Sequence, residues 1–408
     1  MHILLIHQAF AALNEAGGTR HHELAIYLAA QGHKVTVIAS PVSYLTGEAG
    51  AGQMRWLQRQ DGGEGVTILR AFTYRGLHKS FVHRVFSFVS FMLSSFIIGL
   101  GVKKVDLVWG TSPPIFQALT AWALARIKRV RFLFEVRDLW PEFAIAVGVL
   151  DNPVLIATSR WLERFLYRQA DRLMVNSPGF IEYIEAQGGE NIALIPNGAD
   201  ADMFDPALDG ADFRREHGLD NKFVALYAGA HGMSNDLEVV LRSASILRED
   251  TDIVWVLLGD GKEKPLLQLR AAELGLRNLY FIPPLPKQSM RHALAAADAC
   301  IAILKPVEMY KTVYPNKVFD YMAAGRPLVL AIDGVVREAV EEAGAGLFAQ
   351  PGEPQAVAQA VGKLAADPDK ARKMGLAGRA YLEEHFDRRK LAAELEELMR
   401  GMVVKEKG

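Results

Sequence analysis

Lysines, a proline and an aspartate crowd one stretch of the chain: Lys305, then Lys311-Thr312-Val313-Tyr314-Pro315-Asn316-Lys317-Val318-Phe319-Asp320. Ammonium groups beside a helix start give an anion both charge and free N–H donors. A carboxylate about one turn into that helix, Asp320, can accept hydrogen bonds from sugar hydroxyls. The apolar run Ala299–Leu304 reads as the strand leading in, and Pro315 suits the first helical position. Phe319, Met322 and Ala323 recur at helical spacing, Gly325 and Pro327 end the helix, and Leu328–Ile332 reads as the next strand. Such a strand–loop–helix can seat a phosphate or diphosphate. An ordinary βαβ turn with solvated lysines is the competing reading.

Three further spans carry chemical groups at strand ends. Gly17-Gly18-Thr19-Arg20 precedes a helix, so backbone can approach a ligand closely there. It lacks three spaced glycines, which argues against a dinucleotide cofactor. Gly259-Asp260-Gly261, followed by Lys264, is a second glycine-rich turn of the same kind. Glu135-Val136-Arg137-Asp138-Leu139-Trp140-Pro141-Glu142 places four charges directly after the buried run 131–134. Either a ligand meets those charges, or Arg137 closes the loop by pairing with Asp138 or Glu142. Asp200-Ala201-Asp202 looks like a metal motif but sits in a turn, and two carboxylates alone rarely hold Mg²⁺. No metal or organic cofactor is expected.

The elements that must position these groups alternate. Strands are expected at His2–Ile6, Lys34–Ala39, Val66–Arg70, Val105–Trp109, Arg131–Val136, Arg172–Asn176 and Asn191–Ile195, with a helix over Arg20–Gln31. The logic repeats at Phe223–Ala228, Ile253–Leu258, Leu279–Ile282, Ala299–Leu304, Leu328–Ile332 and Gly346–Phe348. Strands spaced by helical lengths predict an α/β fold of two Rossmann-like, doubly wound domains. The turn-rich span Pro196–Asp209 is the expected linker. A chain of 408 residues, half hydrophobic and 23% charged, is long enough for two such cores. Its net charge of −1 argues against nucleic acid as a partner, and its single cysteine, Cys300, suits a reducing compartment.

Taken together and in order, these motifs resemble glycosyltransferase family 4. The likeness rests on Lys311 to Pro327, Arg137-Asp138-Leu139-Trp140-Pro141, Ile195-Pro196-Asn197-Gly198, Tyr227-Ala228-Gly229-Ala230-His231-Gly232 and the Gly17-Gly18 loop. The Arg137-Asp138-Leu139-Trp140-Pro141 loop looks like that of family 4 enzymes that build bacterial surface polysaccharides, among them N-acetyl-fucosamine transferases. The resemblance implies a retaining GT-B enzyme: an acceptor domain over 1–200, a donor domain over 201–385, a cleft between them, and a last helix, 386–408, crossing back to the first. It implies a UDP-sugar donor and a polyprenyl-diphosphate-linked saccharide acceptor. Gly17, Gly18 and Arg20 would lie against the donor diphosphate, and Pro283 would border the base. Thr312, Tyr314, Pro315, Asn316, Lys317 and Asp320 would form the donor segment. The family's two glutamates fall here on Thr312 and Asp320, and its usual arginine–lysine pair is absent. His231, Gly232, Lys264, Lys305, Lys317 and Arg20 are left to meet the leaving charge. Asp138 would assist acceptor deprotonation, and Arg137 would bind the acceptor's phosphate.

Two spans suit a membrane surface. Val85–Val102 is apolar, with Phe88, Phe91 and Phe96 as candidates for lipid contact, and Tyr74, Arg75, His78, Lys79 and Arg84 precede it. Trp161, Arg164, Phe165, Tyr167 and Arg168 form a second aromatic–basic helix. A membrane surface through 74–102 and 160–172 is therefore one expected partner, and a cytoplasmic location on the inner face is expected. A buried core helix remains the alternative for Val85–Val102. A UDP-sugar 2-epimerase and a non-catalytic sugar-nucleotide sensor share the expected architecture and stay open at this point.

Overall fold

Short runs such as Ile3-Leu4-Leu5-Ile6 are apolar on both faces and bury completely, which suits central parallel strands rather than amphipathic ones. The computed structural model describes residues 1–15, 17–43, 55–76 and 81–404. The chain divides into two compact units. One holds Met1–Leu13, Gly17–Pro196 and Arg389–Gly408; the other holds Asn14–Ala16 and Asn197–Arg388.

In the first unit the described strands are β1 (His2–Ile6), β2 (Lys34–Ala39), β3 (Leu57–Asp61), β4 (Val66–Ala71), β5 (Leu107–Ser112), β6 (Arg131–Val136), β7 (Arg172–Val175) and β8 (Ile192–Leu194). They form one sheet in the order β3-β4-β2-β1-β5-β6-β7-β8. All pairings are parallel except β3 on β4. β3 escapes a reading of hydrophobic pattern because Gln58, Arg59, Gln60 and Asp61 are polar and lie at the sheet edge. The last helix, Arg388–Val404, sends Leu391, Ala392, Leu395 and Met399 into the core built by Ile3, Leu24, Val35 and Trp109. His33 fastens it, bonding Glu396 at 2.9 Å on one ring nitrogen and the chain's amino terminus at 3.2 Å on the other.

The helix Phe81–Gly101 is long and apolar enough to cross a membrane by length and composition. It is instead built into the first unit along one face. Phe91, Ser87, Ser94, Ser95 and Ile98 are buried, and the Ser94 hydroxyl donates to the Phe72 carbonyl at 2.6 Å. Gly99 lets the helix Ile115–Lys128 close in, since a Cβ there would stand 2.4 Å from Leu124 Cδ1. The opposite stripe, Val82, Phe86, Leu93, Ile97 and Leu100, is exposed. This corrects the expectation that Phe91 touches lipid: it is core. Phe88 and Phe96 are half-buried.

In the second unit β9 (Phe223–Ala228), β10 (Ile253–Leu258), β11 (Leu279–Ile282), β12 (Ala299–Ile303), β13 (Leu328–Ala331) and β14 (Gly346–Phe348) form a parallel sheet in the order β11-β10-β9-β12-β13-β14. The helix expected to begin at Pro315 begins at Asn316, with Pro315 extended as its N-cap. Its apolar face, Val318, Phe319, Tyr321 and Met322, is buried.

Phe91→Ala should therefore cost about 3–5 kcal/mol, as for other buried aromatics. Phe86→Ala on the exposed stripe should change stability by less than about 0.5 kcal/mol. Urea unfolding of the two variants checks this, and equal losses would contradict the assignment of faces.

Candidate active site

Each sheet reverses its strand order once, between β1 and β5 in the first unit and between β9 and β12 in the second. Ligands of open α/β sheets bind beyond the carboxyl ends of strands at such reversals. In both units the candidate residues collect there.

In the first unit, Glu135 on β6 is the hub. Its side chain is fully buried; one oxygen accepts from His21 Nε2 at 2.7 Å and Trp109 Nε1 at 3.1 Å, the other from Arg20 Nε at 3.3 Å. Burial alone would raise this carboxyl, but His21, Arg20 and Arg137 outweigh burial and hold it down to about 2. Burial pulls His21 down to about 4 in spite of Glu135, so its ring serves as a neutral donor. Arg20 also donates to the carbonyls of Pro196 at 2.7 Å and Ile195 at 2.9 Å. This corrects one expectation: Arg20 is turned inward, with its charge matched by Glu135 rather than offered to a diphosphate. Gly17 and Gly18 lie just before it, and a Cβ on Gly18 would meet nothing within 4 Å.

Arg137 and Asp138 follow β6. Arg137 Nη1 lies 3.4 Å from His7 Nε2, at the end of β1. Glu142 does not close on Arg137; Arg160 holds it with bonds of 2.7 and 3.1 Å. Asp138 Oδ1 is sealed from solvent without a hydrogen-bond partner. Burial pushes the Asp138 carboxyl up to about 7, against the pull of Arg137 and the Leu139 N–H. A carboxylate poised there can take a proton near neutrality.

In the second unit, two glycine turns interlock at the end of β9. The His231 N–H donates to Asp260 O at 2.8 Å, and the Glu263 N–H donates to His231 O at 2.9 Å. A Cβ on Gly259 would stand 1.9 Å from Gly229 O, and one on Gly261 2.5 Å from His231 O, so neither position tolerates a side chain. His231 is wholly buried, and neither ring nitrogen has a hydrogen-bond partner. Burial, then Lys264, pulls the His231 ring down to about 4, leaving a neutral imidazole beside Gly232. Lys264 Nζ donates to Gly259 O at 2.7 Å.

Lys317 reaches the same point from the helix Asn316–Ala323. Its Nζ donates to Tyr227 Oη at 2.7 Å and Asn235 Oδ1 at 3.2 Å, and lies 3.9 Å from the Tyr227 ring centroid. Among the described residues no carboxylate pairs with it, and desolvation draws the ammonium down to about 7. Gly229 stands directly beside it: a Cβ there would be 3.3 Å from Nζ. One turn on, Asp320 Oδ2 meets Lys287 Nζ at 2.5 Å. Lys287 follows the Pro283-Pro284 loop, and no local pattern in the sequence points from it to Asp320. Asn316 Oδ1 is a buried acceptor without a hydrogen-bond partner at the same helix start.

The other expected residues have contacts of their own. Thr312 bonds back to Met309 O at 2.7 Å, inside the short 3-10 helix Glu308–Thr312. The Tyr314 ring packs on Phe319 and Phe386, and its carbonyl accepts from Asn197 Nδ2 at 2.6 Å. Lys311 is at the surface with Glu308. Pro283 is exposed at the end of β11. Asp200 caps its own turn, accepting from the N–H of Asp202 at 2.9 Å.

Residues 16–198 match the family model of the glycosyl transferase 4-like domain, and residues 209–381 that of glycosyl transferases group 1. The chain belongs to glycosyltransferase family 4, with the GT-B fold, and is a glycosyltransferase. It is 27% identical over 324 residues to a protein of Escherichia coli K12 named as a colanic acid biosynthesis glycosyl transferase, WcaI, covering 76% of this chain and 78% of that one. Its fold is similar to that of sucrose-phosphate synthase from Thermosynechococcus elongatus (TM-score 0.77, 18% identity, 99% of each chain). It is also similar to that of Anabaena HepE in complex with UDP and glucose (TM-score 0.74, 18% identity, 98% of this chain and 100% of that one).

Glu135→Gln keeps the shape of the hub and removes its charge, leaving the Arg20 guanidinium buried without its carboxylate. A loss of about 3–5 kcal/mol is expected. Urea unfolding near neutral pH measures it, and a loss below about 1 kcal/mol would mean that the network does not hold the first unit's site together.

Proposed function

We propose that this glycosyltransferase moves a hexosyl or N-acetylhexosaminyl group from a UDP-sugar to a polyprenyl-diphosphate-linked saccharide, with retention, in surface-polysaccharide synthesis. The observation that carries the donor half is Lys317: an ammonium at a strand-order reversal, desolvated, whose partners among the described residues are neutral. A bound diphosphate would supply the missing charge. Lys264, the neutral His231 ring and backbone N–H groups near Gly232 would share the leaving charge, and Asp320, held by Lys287, would face the ribose. Asn316 would add an acceptor for a hydroxyl. Electrostatic stabilisation of the departing UDP in this way needs no metal ion. Residues 201–385 would thus form the donor half, and 1–200 with 386–408 the acceptor half. There Arg137 would bind the acceptor's phosphate and Asp138 would take the hydroxyl proton. WcaI, by its name a colanic acid enzyme, supports the polysaccharide setting; HepE, bound to UDP, is consistent with the donor.

The acceptor's lipid suggests where the protein works. The exposed stripe Val82, Phe86, Leu93 and Ile97, with exposed Val154, Trp161, Arg164 and Arg168 on the helix Pro153–Gln169, suits docking on an anionic bilayer at the inner face. His78 and Lys79 lie outside the described residues.

Lys317→Met should weaken UDP binding at least about tenfold, the loss of one charge-assisted hydrogen bond. Calorimetric titration with UDP decides it, and unchanged affinity in the folded variant would remove Lys317 from the site. Turnover should rise with pH to a plateau above about 7 as Asp138 ionises. Asp138→Asn should abolish turnover with UDP affinity kept, and excess EDTA should leave turnover unchanged. A pH profile flat from about 5 to about 8 would rule out Asp138 as the base. Replacing Phe86, Leu93 and Ile97 together by Ser should abolish flotation with anionic vesicles while leaving the melting temperature in place. Undiminished flotation would leave the docking face without support.

A further inference from the structure

The ring of His7, at the end of β1, belongs to no role assigned so far, yet it is 1% exposed and held from several sides. Its Nδ1 lies 2.8 Å from Thr111 Oγ1, its Nε2 3.4 Å from Arg137 Nη1, and it lies against the His21 ring with centroids 4.0 Å apart and planes tilted by 34°. His7, Thr111 and Arg137 stand at the carboxyl ends of the neighbouring strands β1, β5 and β6, where the first sheet reverses its order between β1 and β5.

The hydrogen-bond roles around the ring follow from chemistry. A guanidinium can only donate, so Nε2 must present its lone pair to Arg137. Nδ1 then carries the proton and donates it to Thr111 Oγ1. That hydroxyl oxygen also accepts from Gln117 Nε2 at 2.9 Å. Gln117 is oriented in turn, because its Oε1 accepts the Gln8 N–H and its Nε2 also donates to Pro113 O at 3.1 Å. The chain of donors therefore runs one way only, and it ends in an acceptor aimed at Arg137. His21, behind the ring, is itself fixed by Glu135 at 2.7 Å. Burial, together with His21 and Arg137, holds His7 well below the usual histidine range, so the lone pair persists through neutral and mildly acidic pH.

We infer that His7 is a positioning residue for Arg137: a neutral acceptor that holds one edge of the guanidinium at the strand ends, where a phosphate of the acceptor lipid would meet it. The inference rests on the proposed role of Arg137 and adds to it the device that sets its geometry. Thr111 and Gln117 fix the tautomer, His21 and Glu135 fix the plane, and His7 transmits both. A lysine at 137 could not use this arrangement in the same way, since only the flat guanidinium offers one edge to His7 and another to a phosphate.

The test uses the full-length protein saturated with UDP, so that the donor site is filled, and geranyl diphosphate as the calorimetric probe. Arg137→Ala should weaken geranyl diphosphate at least about tenfold. His7→Phe keeps the ring on His21 but removes both nitrogens, and should weaken the probe about three- to tenfold. His7→Gln, whose Oε1 can stand where Nε2 stood, should bind within about twofold of wild type. His7→Asn, which can replace only the Thr111 bond, should behave like His7→Phe. In the Arg137→Ala background His7→Phe should have no further effect, since an interaction already removed cannot be lost twice. Melting temperature and far-UV circular dichroism accompany each variant, and should His7→Phe fail to fold, the contrast between Gln and Asn decides alone. If wild type gives no binding, or Arg137→Ala binds as wild type does, the acceptor reading of Arg137 fails and this inference with it. If Arg137→Ala weakens the probe while His7→Phe and His7→Asn do not, His7 alone loses its role. Equal losses in Gln and Asn, or additive losses in the double variant, would show that the ring acts by packing and overturn the inference.

Discussion

An ammonium enclosed without a counter-charge among the described residues is the constraint on which the second unit turns. Lys317 has a phenol oxygen, an amide oxygen and an aromatic face around it, all neutral, and desolvation draws it down to about 7. Taking a cation out of water without a partner is costly, and proteins usually pair such a group or move it to the surface. Everything around Lys317 keeps it where an anion can reach it. Tyr227 arrives on β9, Asn235 is the last residue of the short 3-10 helix Met233–Asn235, and Gly229 leaves open the space that a side chain would close. The second glycine turn, Gly259 to Gly261, locks His231 into the same place through backbone bonds. A glycosyltransferase that releases a nucleoside diphosphate needs such stored positive potential at the departing group.

The first unit solves the opposite problem. There the charges are compensated internally, and the hub is an anion. Glu135 collects Arg20, His21 and Trp109 within 3.3 Å and so ties the helix Arg20–Ala30 to β5 and β6. The product of that network is a rigid floor beneath the loop that carries Arg137 and Asp138. Asp138, half-buried and pushed up to about 7, is the group left able to change its protonation near neutrality. One unit thus holds a desolvated lysine and the other a raised carboxylate, both poised near neutrality, as the proposed donor and acceptor roles require.

The parts legible in the sequence are those encoded locally. Strand runs such as Ile253–Leu258 are apolar on both faces, and the order strand–glycine turn–helix marks the ligand ends without any three-dimensional information. The family likeness drew on the same local motifs. What escaped are pairings between distant residues: His7 with Arg137 across 130 positions and Lys287 with Asp320 across 33. Arg20 was misread for the same reason, since nothing local shows that its guanidinium is held by Glu135 and the carbonyls of 195 and 196. The helix Phe81–Gly101 was ambiguous because both faces are apolar, so periodicity could not say that Phe91 turns in and Phe86 out. The polar edge strand Leu57–Asp61 carried no alternation to detect.

The most direct test of the central claim is to titrate Lys317 itself, following its ε-methylene by heteronuclear NMR and assigning the signal by loss in Lys317→Arg. In the free protein the midpoint should fall near 7. Saturating UDP should raise it by about two pH units or more, because a diphosphate favours the charged form. A midpoint at the ordinary lysine value in the free protein, or one that UDP leaves unmoved, would contradict the account.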